Sequence, residues 1–249
     1  MVFFLLAWGA PIAWGGVGNH SLYLDENGSL WAMGDNDNGQ LGDGNQTDRN
    51  QSVGITLAGI VAVANGGDHS LYLKDDGSLW AAGDNSYGQL GDDTTTDRNN
   101  SFVQVVDASV TAVTAGEHHS LFLKDDGSLW AMGRNDYGQL GTGDSAQKTS
   151  PTQVLPSGVA SIAAGAYHSL LIKLHGSLWG TGRNDYGQLG NGFTANLASP
   201  QQTLFSGVVA AVAGDGHSLF LKTDGSLWAT GLNVDGQLGL GDDANRSIP

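Results

Sequence analysis

A chain of 249 residues with a formal net charge of −15, 40 % apolar and only 14 % charged, is long and apolar enough for a folded core and has a strongly acidic surface. Such a surface repels phosphate backbones, which argues against direct binding of DNA or RNA and for a basic partner, a cation or simple solubility. The absence of cysteine excludes disulfides, thiolate metal sites and cysteine nucleophiles and leaves the compartment unassigned.

The chain opens on an apolar run, residues 2–6 (VFFLL), with no Lys or Arg before it and too short to cross a bilayer. From His20 onward one stretch recurs five times. Its histidine stands at His20, His69, His119, His168 and His217. Its Gly-Ser-Leu-Trp ends at Trp31, Trp80, Trp130, Trp179 and Trp228, and its Gly-Gln-Leu-Gly starts at Gly39, Gly88, Gly138, Gly187 and Gly236. A fixed period near fifty residues is a repeat architecture, and since one repeat cannot bury its own apolar faces, residues 1–249 form a single domain with repeat cores 20–42, 69–91, 119–141, 168–190 and 217–239.

Within a repeat the pattern reads as four strands. Small and apolar residues alternate over 158–165, which suits a crowded inner strand, and 168–173 is apolar at alternate positions. Asn27-Gly28, Asp75-Asp76-Gly77 and Asp125-Asp126-Gly127 are hairpin turns, and residues 77–83 form the returning strand. Asn85-x-x-Gly88-Gln-Leu-Gly91 is a loop with one leucine turned inward, followed by a polar linker and an outer strand over 102–106. Four short strands per fifty residues predict an all-β propeller of five four-stranded blades. The chain stops at Pro249, where other repeats continue into their outer strand, so residues 1–7 are expected to pair in the last blade as the strand that closes the ring.

Gly-x-x-His-Ser-Leu, Asp-Gly-Ser-Leu-Trp-Ala-x-Gly and Asn-x-x-Gly-Gln-Leu-Gly together resemble the regulator of chromosome condensation repeat over essentially the whole chain. The resemblance implies a propeller, best known with seven blades. It also implies a range of roles: nucleotide exchange on a small GTPase, chromatin docking, ultraviolet sensing and scaffolding. Fold does not choose among them.

A side chain present in every blade is expected to build the scaffold. The five repeat histidines are therefore read as bonding backbone between strands, and the five repeat tryptophans as core with partnered indole NH groups. His118 and His175 fall outside the frame and are read as surface residues. Asp35-Asn-Asp37-Asn-Gly39 opens like a calcium loop, but the twelfth position is Gln46, so it is read as a turn and no metal site is expected. No nucleophile elbow, phosphate loop or zinc signature occurs, so no catalytic residue and no cofactor are expected. The positions that vary carry the recognition: Asp35, Asp84, Arg134 and Arg183 after the Ala-x-Gly or Thr-Gly, and Tyr87, Tyr137 and Tyr186 before Gly-Gln. Tyr and Arg are favoured at interfaces. The expectation is a monomeric, non-catalytic propeller binding an unidentified protein or polymer through one ring face. The alternatives are exchange or regulation of a small GTPase, and a glycan- or cation-binding surface.

Overall fold

The computed structural model describes residues 18–203 and 206–249, which contain strands and turns and no helix. Sheet I holds β1 (His20–Leu24), β2 (Leu30–Gly34) and β3 (Arg49–Ile55). Sheet II holds β4 (Ile60–Asn65), β5 (His69–Lys74), β6 (Leu79–Gly83) and β7 (Arg98–Val106). Sheet III holds β8 (Val110–Ala115), β9 (His119–Lys124), β10 (Leu129–Gly133) and β11 (Lys148–Leu155). Sheet IV holds β12 (Val159–Ala164), β13 (His168–Lys173), β14 (Leu178–Gly182) and β15 (Leu197–Gln202). Sheet V holds β16 (Val208–Ala213), β17 (His217–Lys222) and β18 (Leu227–Gly231). Strands lie in each sheet in chain order, and every pairing is antiparallel. The expectation of four strands throughout holds for sheets II, III and IV; among the described residues sheets I and V have three. In sheet V the outer edge is represented by a single bridge from Gly231 to Arg246. The closing strand expected from residues 1–7 lies outside the described residues.

The hairpin turns follow from their residues. Gly77 sits at φ 79°, where an L side chain is strained, and Asp76 Oδ1 accepts the Ser78 NH at 2.9 Å to fix the turn. The Ser78 hydroxyl then accepts the Trp80 indole NH at 3.0 Å, and Ser128, Ser177 and Ser226 do the same for Trp130, Trp179 and Trp228. The tryptophans find their partners, and Trp80, Trp130 and Trp179 pack as expected against the buried clusters, at their edge. Four are half-buried and Trp228 is exposed; a lysine ammonium crosses the outer side of four of the rings, as Lys124 does over Trp130 at 4.8 Å, whereas Trp31 donates to Asp25 at 3.1 Å.

The loop Asn-x-x-Gly-Gln-Leu-Gly is organised by its asparagine. Asn135, fully buried, accepts the Leu140 NH at 2.9 Å and donates to the carbonyls of Asp144 (2.9 Å) and Ala146 (3.1 Å). Gln139 accepts the Tyr137 NH at 3.1 Å, and Leu140 is thereby aimed into the core. Replacing Asn135 by Ala strands several buried groups. The expected loss is about 3 kcal/mol, or roughly 6–12 °C in melting temperature, measurable by calorimetry.

The core lies between sheets. Leu71, Leu79, Ala81 and Leu90 of sheet II pack on Val110, Phe122 and Met132 of sheet III, and the same positions recur at the other three junctions. Each junction also carries a polar relay. His69 Nε2 lies 2.9 Å from Ser120 Oγ of the next sheet, and Ser120 donates to the Gln89 carbonyl at 2.8 Å. His20–Ser70, His119–Ser169 and His168–Ser218 repeat it at 2.8, 2.9 and 2.9 Å. The expected backbone partner of the histidines is thus replaced by a serine hydroxyl one sheet away. Because serine commits its only hydrogen to the carbonyl, the imidazole must donate through Nε2, which leaves a neutral ring with a bare Nδ1. Burial pushes His69, His119 and His168 down to about 3 and His20 to about 4.

Candidate functional site: an arginine–tyrosine row on one face of the sheets

In every sheet the repeat histidine pairs with the glycine ending the returning strand, as His119 does with Gly133. The residue before the histidine and the residue after the glycine are therefore neighbours at one end of the sheet. Their backbones are joined: Asp35 NH to Asn19 O, Asp84 NH to Asp68 O, Arg134 NH to His118 O, Arg183 NH to Tyr167 O and Leu232 NH to Gly216 O, at 2.8 to 3.1 Å. These pairs do not repeat in identity, and they line up on one face.

Sheets II to IV place a continuous row there. The Arg134 guanidinium lies over the Tyr87 ring of the preceding sheet at 4.9 Å and near Tyr167 at 5.7 Å. Arg183 lies over Tyr186 at 5.2 Å, Tyr137 at 5.5 Å and Tyr167 at 5.8 Å. Tyr137 and Tyr167 meet edge to face at 5.6 Å. Asp136 holds the Arg134 Nε at 2.7 Å and Asp185 holds the Arg183 Nε at 2.8 Å. Each arginine is thus fixed from one side by a carboxylate and by aromatic faces, with donors left to reach outward; Asp136 and Arg134, like Asp185 and Arg183, are in contact with solvent.

The acidic residues fare differently. Asp84 is buried. It accepts the NH and hydroxyl of Ser86 and the Gln89 amide, and its carboxylate lies 3.6 Å from His118 Nδ1. Burial alone would raise its pKa; His118 and Ser86 outweigh it and hold the carboxyl well below the usual range. Asp84 is therefore part of the wall and not an open contact. Asp35 stays partly exposed and accepts the Asp37 NH at 3.1 Å. Carboxylate oxygens of Asp35, Asp37 and Asp48 come within 4.8 Å of one another, whereas Gln46, the twelfth position, donates to the Asp37 carbonyl. Asp68 is pushed up by burial and by Asp35 and Asp84, and Glu117 by burial, which marks this quarter as dense in negative charge.

His118, expected at the surface, is half-buried between Asp84 and the Tyr87 ring, 5.1 Å away; His175 is exposed as expected. Sequence reading also passed over Tyr167, which stands at the centre of the row. The signal was present in the position before the repeat histidine: Asn19, Asp68, His118, Tyr167 and Gly216 vary as freely as the positions that were chosen.

A profile of the RCC1-like domain matches residues 10–249. Human WBSCR16 superposes with a TM-score of 0.81 at 25 % identity, over 93 % of this chain and 64 % of that one. Prp20p of Saccharomyces cerevisiae, solved in a study of its binding to Gsp1p and histones, superposes at 0.77 with 22 % identity, over 96 % of this chain and 75 % of its own. Yeast RCC1 bound to Kap60 gives 0.71 at 23 % identity, over 96 % of this chain and 73 % of its own. The chain thus spans about two-thirds of the length of WBSCR16. No curated protein matches the sequence.

Proposed function

The chain belongs to the RCC1-like domain family, and from that premise we propose that it is a non-catalytic propeller that docks a protein partner on the face carrying Arg134 and Arg183. The observation that carries this reading is the row itself: two guanidinium groups held in place by carboxylates and stacked among four tyrosines. Ordering these side chains in advance lowers the entropic cost of association, and buried-edge Tyr and Arg are the residue types that dominate interface energies. The neighbouring acidic quarter, Asp35, Asp37, Asp68 and Glu117, favours a partner with basic residues beside an aromatic or carboxylate contact, in keeping with the net charge of −15. A chain with Arg134→Ala, Arg183→Ala and Tyr167→Ala is expected to keep its melting temperature within a few degrees and to lose at least tenfold in affinity for partners recovered by cross-linking from its host. Equal recovery by both chains would exclude this face.

A second reading follows from Prp20p, a relative studied for binding Gsp1p and histones. A small GTPase offered to this chain with labelled nucleotide tests exchange directly, and a release rate no faster than the uncatalysed one removes it. The carboxylates of Asp35, Asp37 and Asp48 support a weaker third reading, a cation- or glycan-binding surface, which calcium titration and a glycan array test.

A further inference from the structure

The ends of the strands opposite the Arg134–Arg183 row carry a cleft between sheets II and III. In sheet III His119 pairs with Gly133 at the end nearest the row, and Leu123 pairs with Leu129 at the other. In sheet II the same sense holds, with Arg98 on Gly83 and Val106 on Leu79. Beyond Val106 and Leu123 the chain continues into Asp107 and Lys124, and there a cleft of about 390 Å³ opens. Trp130, Val106 and Pro151 give it an apolar lining, and Gln104, Asp107 and Lys124 a polar one. Small-ligand sites of about 300–1,000 Å³ combine an aromatic surface with a few polar groups in the same way.

At the neighbouring junctions the residue in the place of Asp107 is apolar. Asp107 stands three residues before Val110, the start of the next inner strand; its counterparts are Leu57 before Ile60 and Pro156 before Val159. Leu57 packs on the cluster that holds Trp80, and Pro156 has no side-chain donor or acceptor. Asp107 is exposed, so Trp130 lacks the cover that Leu57 gives at the first junction. The backbone departs from the repeat here too. Ser109 holds φ 71°, where Gly59, Gly158 and Gly207 stand at 76°, 85° and 73°. Strain of this kind in a residue other than glycine clusters at ligand sites.

The charged groups of the cleft are open to a ligand. Among the described residues Asp107 has no hydrogen-bond partner, and the Lys124 ammonium rests over the Trp130 ring at 4.8 Å with no ion-pair partner. A carboxylate ligand would set its charge against Asp107, and an amine would set its charge against Lys124. Hydroxyl groups suit both, donating to the one and accepting from the other, and the Gln104 amide can do either. The flat indole suits the C–H face of a sugar ring, and the lysine contact, weak at an exposed site, gives way to it. We propose that this cleft binds a neutral pyranose, with its C–H face on Trp130 and its hydroxyls on Asp107, Lys124 and Gln104. The site is separate from Asp35, Asp37 and Asp48, which follow the Gly34 end of sheet I, and it gives the glycan reading a ligand class without resting on those carboxylates.

Saturation-transfer NMR on the intact chain, with the methyl glycosides of glucose, galactose, mannose and N-acetylglucosamine as probes, tests it. Transfer is expected to the ring C–H protons of at least one of them. Asp107→Leu, which installs the residue of the first junction, is expected to keep the melting temperature and to weaken binding about tenfold, because it removes a charged hydrogen-bond partner and covers the indole. With 5-fluorotryptophan incorporated, the Trp130 resonance, assigned from Trp130→Phe, is expected to shift as the sugar is added. Absence of transfer to all of these glycosides overturns the proposal. So does transfer that Asp107→Leu leaves intact, or that Asp37→Asn alone removes, which would place the sugar at the carboxylates of sheet I. Transfer to methyl glucuronide or to leucine as strong as to the neutral glycosides overturns the ligand class.

Discussion

Lowering the pH from 7 to 5 is expected to destabilise the protein steeply, before its carboxylates begin to titrate. Four relay histidines are neutral in the fold, with pKa values held by burial at about 3 for His69, His119 and His168 and about 4 for His20. In the unfolded chain they titrate near 6.5. A base with a depressed folded pKa leaves the unfolded state holding more protons below 6.5, so stability falls as pH drops through the interval from about 6.5 to 4. With four such groups the slope approaches about 5 kcal/mol per pH unit near pH 5, against a total stability of order 5–15 kcal/mol. The relay shows why the rings resist protonation: Nδ1 of each of the four has no partner, so a proton there would be a buried, unsatisfied donor. Asp43 and Asp92, held low despite burial by their bonds to Arg49, Thr94 and Arg98, add to the loss only below the ordinary carboxylate range. Calorimetry from pH 7.5 to 4.5, with uptake of about four protons on unfolding at pH 5, checks the expectation. A melting temperature that stays level to pH 5 would rule it out.

Gly138→Ala is expected to be among the most damaging single substitutions. Gly138 is at φ 82°, and a Cβ there would lie 2.4 Å from Ala198 Cα and 2.7 Å from the Leu197 carbonyl, both backbone of sheet IV. Neither atom can swing aside, so sheets III and IV must separate. A loss of about 4 kcal/mol or more is expected, lowering the melting temperature by roughly 10 °C. Gly236→Ala is the internal control, since it has nearly the same φ, 72°, and no atom within 4 Å. It carries only the left-handed strain, roughly 1–2 kcal/mol. Equal losses at the two positions would show that conformation, and not the close approach of neighbouring sheets, accounts for the glycine.

The period, the hairpins and the leucines that build the core were legible in the sequence because each is a local pattern repeated five times. The partner of the histidine was not. His69 and Ser120 are 51 residues apart, and nothing in a strand's alternation announces a contact to the next sheet. Trp130 packs against the core and stacks on Phe122 as its size suggested, but the lysine that covers its outer side, Lys124, was not foreseen. At the candidate site, Arg134, Arg183 and the three tyrosines were found by asking what fails to repeat. Tyr167 and His118 met the same criterion one position before the histidine and were passed over. Asp84 met it too, but Ser86, Gln89 and His118 enclose it, which depends on neighbours that a single column of the repeat does not reveal.

The likeness of the four junctions has a kinetic consequence. Each buried face of a sheet fits the opposing face of every other sheet nearly as well as that of its own neighbour, because the leucines, histidine and serine that meet are the same. During refolding a sheet can dock one repeat out of place, looping out about fifty residues, and chain entropy resists such a skip only weakly. The native order is selected by the short linkers, which make the adjacent repeat the first to arrive. Lengthening one linker should therefore leave equilibrium contacts intact and slow recovery of the native fold, by populating chains that are well packed and out of sequence.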